Sequence, residues 1–132
     1  MPRIAHAALD SAAGYAITVH VGRHRLNADE PASRGGTDTG PAPYDLLLAA
    51  LGACTAITLR MYADRKGWEL GTVHVDLEVY KDGESDTGRI ARVVSFSRTL
   101  QPEQKARLAE IAEKTPVTRT IRAGAVIDTA IR

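Results

Sequence analysis

Cysteine occurs once in the 132 residues, at Cys54, which excludes an internal disulfide framework and any cysteine-rich zinc site. Aromatic residues make up only 5% of the chain and the net charge is +1. That balance supplies neither a base-stacking surface nor an electrostatic footprint for nucleic acid or an acidic bilayer. The longest uncharged run, Leu46 to Leu59, is shorter than the ~20 residues a membrane helix needs. No long apolar stretch follows the positive charge in Met1-Pro2-Arg3-Ile4-Ala5-His6. No secretory signal is read there, and a cytoplasmic location is the expectation. The chain also lacks a Gly-Lys-Ser phosphate loop and a Gly-x-Ser-x-Gly elbow. His20 and His24 are four apart but straddle a turn, with no acid or cysteine to complete a metal set. Neither a metal nor a cofactor is expected.

What is present fits one small α+β domain spanning residues 1–132, with 44% apolar residues for a core. Tyr15, Ile17, Val19 and Val21 alternate with polar or small residues, the period of a half-buried strand. Gly22-Arg23 supplies a two-residue turn, and His24 to Asp29 returns as a second strand. Gly35, Gly36, Gly40, Pro41 and Pro43 mark a loop. Val73, Val75, Leu77 and Val79 alternate with His74, Asp76, Glu78 and Tyr80, and a polar turn leads to a strand over residues 90–100. Pro102-Glu103 opens a helix with Leu108, Ile111, Ala112 and Thr115 on one face, which Pro116 interrupts or ends. Ala125, Ile127, Thr129 and Ile131 read as a closing strand.

Between these strands lies the most informative segment. Pro43 opens a helix at its first position, Asp45 adds an acidic first turn, and Arg65, Lys66 and Gly67 close it. Leu47, Ala50, Leu51, Ile57 and Met61 share the face of Cys54, which predicts an inward thiol. The other faces of residues 46–57 are also apolar, so the helix needs cover on every side. A second copy of the chain is the simplest cover, and a homodimer is expected.

The run Gly35-Gly36-Thr37-Asp38-Thr39-Gly40-Pro41-Ala42-Pro43-Tyr44-Asp45-Leu46-Leu47-Leu48, continuing to Ala53-Cys54-Thr55, resembles the OsmC/Ohr superfamily (osmotically inducible, organic hydroperoxide resistance). The resemblance extends through Leu59 to Trp68 and reappears at Ile111 to Val117. It implies an OsmC-like fold, with an antiparallel sheet wrapped around a long central helix in an intertwined homodimer. It also implies a reactive cysteine at Cys54 that attacks an organic hydroperoxide and becomes a sulfenic acid. The second, resolving cysteine of the family falls at Thr115, which cannot form a disulfide. The family's thiolate-holding Arg–Glu pair has its acid ten residues before the cysteine, where Tyr44 stands beside Asp45.

A lone cysteine on an apolar helix is ordinarily a packing residue. A thiol attacks as its thiolate, which apolar surroundings disfavour, and the helix dipole acts only within its first turn. A cation must therefore come from elsewhere, and Arg25 and Arg34 are the candidates, ordinarily solvated surface residues. Asp45 is a candidate catalytic acid as well as a helix-start residue. Tyr44 lies about 15 Å along the helix axis from Cys54, so neither it nor Asp45 reaches the sulfur within one straight helix. Two functions follow as expectations. One is a thiol-dependent peroxidase with an external thiol reductant. The other is a non-catalytic dimer that binds a small apolar ligand or senses oxidation.

Overall fold

The computed structural model describes residues 1–132. Its order is β1 (Ala8–Ser11), β2 (Ile17–Val21), β3 (His24–Ala28), a 3-10 turn (Ala32–Arg34), α1 (Pro43–Lys66), β4 (Val73–Lys81), β5 (Gly88–Phe96), α2 (Pro102–Ala112) and α3 (Pro116–Ala123). The chain divides into two compact units, Met1–Leu47 and Leu48–Arg132.

The first unit is an antiparallel sheet in the order β1-β2-β3. Gly22, at φ 58°, makes the tight turn that pairs Val21 with His24. At the end of β3 the chain is held by one carboxylate. Asp29 is only 2% exposed and accepts five hydrogen bonds, from Glu30 N, Thr37 N and Oγ1, and Thr39 N and Oγ1. Thr37 and Thr39 are two apart, and Asp38 between them takes a left-handed conformation at φ 54°, which Asp tolerates better than most residues. The loop folds back on the strand it left, as Asp29 N donating to the Pro41 carbonyl also shows. The glycine- and threonine-rich loop is therefore a built structure that delivers Pro43 to the start of α1.

These bonds hold the Asp29 carboxyl well below the usual carboxylate range. The Thr37 hydroxyl contributes most and the Thr39 N–H next, while burial opposes them. A depressed carboxylate stabilises the fold above its unfolded value of ~3.9, and that stability is lost as pH falls through the folded value. Urea midpoints should accordingly drop from about pH 5 downward. Asp29→Asn should be less stable at neutral pH and should show a flatter acid limb. Parallel acid limbs in the two proteins would remove Asp29 from this role.

The second unit packs α1 and α2 against the β4-β5 hairpin. Its core joins Leu59, Ala63, Leu70, Leu100, Leu108 and Ala112, with Trp68, Val94 and Phe96 around them. β4 presents Val73, Val75, Leu77 and Val79 on its half-buried side, as its alternation predicts. Gly52 faces this hairpin, since a Cβ there would stand 2.8 Å from Leu77 Cδ1.

One expectation is corrected here and another is sharpened. Residues 125–131 alternate like a strand, but the chain after α3 forms none, and Val126, Ile127 and Ile131 are exposed. Alternation makes a strand only where a neighbouring edge supplies its hydrogen bonds, and neither sheet of this chain pairs with it. Of the two readings open at Pro116, interruption is the one observed. α2 stops at Ala112, and Pro116 begins a second helix at the first position, where its missing N–H costs nothing.

Candidate functional site

Helix α1 carries Cys54 and was expected to turn it inward with Leu47, Ala50, Leu51, Ile57 and Met61. The structure buries a different stripe, Leu51, Thr55, Leu59 and Ala63, each four residues after the last. Ala50 and Ala53 are exposed, and Ile57 and Met61 are 58% and 60% exposed. Cys54 lies about 100° around the helix from Thr55, on the border between the packed and the open faces, and is half-buried. Only Leu51 of its expected companions is in the core. A helix apolar all round has no preferred side, so its sequence cannot choose one.

Beside the cysteine, Thr55 is fully buried, and its hydroxyl donates to the Leu51 carbonyl at 2.7 Å. Its remaining oxygen capacity accepts Arg92 Nη1 at 2.9 Å. The same nitrogen donates to Thr118 Oγ1 at 2.9 Å, and Arg92 Nη2 donates to the Ala112 carbonyl at 3.1 Å. Thr115 and Thr118 hydroxyls lie 2.6 Å apart, and Thr118 reaches the Ala112 carbonyl at 3.4 Å. A guanidinium only donates, which sets the direction of the rest. Thr118 gives its proton to Ala112, and Thr115 gives its own to Thr118. One arginine thus ties the Cys54 turn of α1 to the α2–α3 junction.

Sequence reading missed Arg92, although a signal was available. On β5, Ile90, Arg92, Val94 and Phe96 fall on one side by the period of two, and all are half-buried. A cation in the middle of an otherwise apolar row is a buried-polar anomaly, and such groups need partners. Its partners lie 37, 26 and 20 residues away, so the anomaly was visible but its resolution was not.

The other candidates are placed as follows. Thr115 is fully buried in this network, at the N-terminal boundary of α3. Asp45 Oδ2 accepts the Ala42 N–H at 3.0 Å, the back-reaching bond that an acid at the third helical position makes to the residue before the helix. Arg25, on β3, and Arg34, at the end of the 3-10 turn, are exposed side chains of the first unit. The structure brings Cys54's neighbour Thr55 and Thr115 into one network through Arg92.

The sequence profile of a family described as OsmC-like protein matches residues 36–130. No curated protein sequence matches the chain. Solved structures with the same fold include the organic hydroperoxide resistance protein OsmC of Legionella pneumophila, at 22% identity and TM-score 0.70, covering 91% of this chain and 90% of that one. The OsmC-like protein of Mycoplasma pneumoniae aligns at 15% identity and TM-score 0.69, over 92% and 88% of the two chains. The organic hydroperoxide resistance protein OhrB of Bacillus subtilis aligns at 22% identity and TM-score 0.63, over 91% of each chain.

Proposed function

The chain belongs to the OsmC-like protein family, and we propose that it reduces organic hydroperoxides through Cys54 at the expense of an external thiol. The observation that carries this reading is the position of Cys54. It sits half-buried at the edge of the open face of α1, reachable by a small peroxide yet flanked by a packed core. The names of the Legionella and Bacillus relatives point to the same substrate class.

The thiolate attacks the terminal oxygen of ROOH, the O–O bond breaks, and the departing alkoxide takes a proton to leave as ROH. Cys54 becomes a sulfenic acid. One external thiol displaces water from it to form a mixed disulfide, and a second releases the Cys54 thiolate as a disulfide of the reductant. The sum is ROOH plus two thiols giving ROH, water and one disulfide. Arg92 is the cation tied to the cysteine turn by a hydrogen bond, while Arg25 and Arg34 remain candidates for direct contact with the sulfur. Asp45 serves the helix start.

The test is mass spectrometry after a small excess of cumene hydroperoxide. Cys54 should gain one oxygen, or an adduct when a thiol is added, and peroxide consumption should fall to background in Cys54→Ser. An unmodified Cys54 in folded protein would sink the proposal. It would favour the second reading, a ligand-binding or sensing dimer. Thr115 supports that alternative, because the position that the family resemblance assigns to the resolving cysteine is here closed into a hydrogen-bond network.

Assembly belongs to the same proposal. The open apolar face of α1 is suited to a second copy of the chain, burying Ala50, Ala53, Ile57 and Met61. Light scattering should give a dimer at micromolar concentration. Ile57→Lys should give a folded monomer, because Ile57 makes little of the core of its own subunit. A monomeric parent protein would remove the interface.

A further inference from the structure

Arg92 carries a full charge to a half-buried position, and no carboxylate hydrogen-bonds it. Its three hydrogen bonds end on two threonine hydroxyls and one peptide carbonyl, and the ion pairs of this unit, Glu69–Arg98, Glu110–Arg107 and Glu113–Arg122, do not include it. Neutral acceptors satisfy the N–H groups but leave the charge itself uncompensated in a region of reduced dielectric, where an anion would be strongly attracted. Of five guanidinium hydrogens, three are engaged. The Nε–H and one Nη2 hydrogen make no bond within the chain and are available to an anion.

Arg92 lines a cavity of about 460 Å³, within the range of small-molecule sites. Leu51, Ile90 and Ile121 give it apolar walls, while Thr118 and Arg122 add polar groups. Glu113 also borders it but is already paired with Arg122, so one positive charge is left over. A second cavity of about 600 Å³ touches Arg92 too. The smaller one is favoured because it joins Arg92 to the Thr118 hydroxyl that the same side chain already bonds.

We propose that this cavity between β5, α1 and α3 binds a small organic carboxylate, with its anionic end on Arg92 and a compact apolar body against Leu51, Ile90 and Ile121. Cys54 is not among the residues that line the cavity, and the site does not depend on peroxide chemistry. The apolar walls set the substrate-like body, and the unpaired guanidinium sets the sign of the charge.

Benzoate and benzamide are the probes, because they share a shape and differ in charge, and neither is an oxidant. Calorimetric titration of the whole protein at low salt should give saturable binding of benzoate with a Kd on the order of 1 mM or tighter. Benzamide should bind at least tenfold more weakly. Arg92→Gln removes the anchor but also part of the network, so a second variant keeps the question open to refutation if that protein fails to fold. Ile121→Trp fills the cavity while leaving every Arg92 bond in place, and it should abolish benzoate binding. Equal binding of benzoate and benzamide, no saturable binding of benzoate, or unchanged binding in Ile121→Trp would each overturn the proposal.

Discussion

Gly40→Ala is expected to cost about 3 kcal/mol or more and to lower the thermal midpoint by roughly 10 °C or more. A Cβ at this position would overlap the carbonyl carbon and oxygen of Asn27 and press on the Ala28 nitrogen. These are backbone atoms of a paired strand, so no side chain can swing away to relieve the contact. Asn27 pairs with Thr18 and Ala28 with Ile17, and moving either would open the β2-β3 ladder. The same change would lift Thr39 from Asp29, taking away two of the five hydrogen bonds to that buried carboxylate. Gly36→Ala should behave alike, because its Cβ would overlap the Glu30 carbonyl. Calorimetry with limited proteolysis checks both effects, with new cleavage expected in residues 30–41. A midpoint within about 2 °C of the parent would mean that the loop does not lie on β3 as described.

Thr115→Cys should convert the oxidation product from a sulfenic acid into an intrasubunit disulfide. The new thiol would condense with the Cys54 sulfenic acid and release water, leaving both sulfurs at the oxidation state of a disulfide. Thr115 is fully buried, and its hydroxyl connects through Thr118 and Arg92 to Thr55, the residue after Cys54. A bond needs Cα atoms about 4.4–6.8 Å apart, so the local helix must carry the two positions together as oxidation proceeds. The exchange is nearly isosteric and loses one neutral hydrogen bond, worth ~1 kcal/mol. Peptide mapping after one equivalent of cumene hydroperoxide should find the bond, and a dithiol reductant should then support faster turnover than it does for the parent. Two free thiols after treatment would place position 115 away from the sulfur, leaving it a purely structural threonine. A disulfide without turnover would locate the deficit at the groups around the thiolate.

Residue 115 also shows where sequence reading reached its limit. The motif that aligns it with a resolving cysteine is a local pattern, and so is Pro116, which the structure uses to begin α3. What Thr115 touches depends on Arg92 from a strand more than twenty residues earlier. The Asp29 cradle is similar. The loop was legible from its glycines and prolines, but the five donors converge only because the chain returns to β3.

By itself the sequence determined the β2-β3 hairpin, both ends of α1 at Pro43 and Lys66, the alternation of β4 and the family to which the chain belongs. Each rests on neighbours within a few turns or a contiguous motif, where capping, turn chemistry and periodicity act. Tertiary structure alone decided which side of α1 is packed, because an all-round apolar helix offers equal burial energy on several faces. It also decided that residues 125–131 pair with neither sheet of this chain, since alternation by itself does not select an edge. And it placed Arg92 under Thr55, Thr118 and Ala112, because a charge in an apolar row takes whatever acceptors the distant chain brings to it.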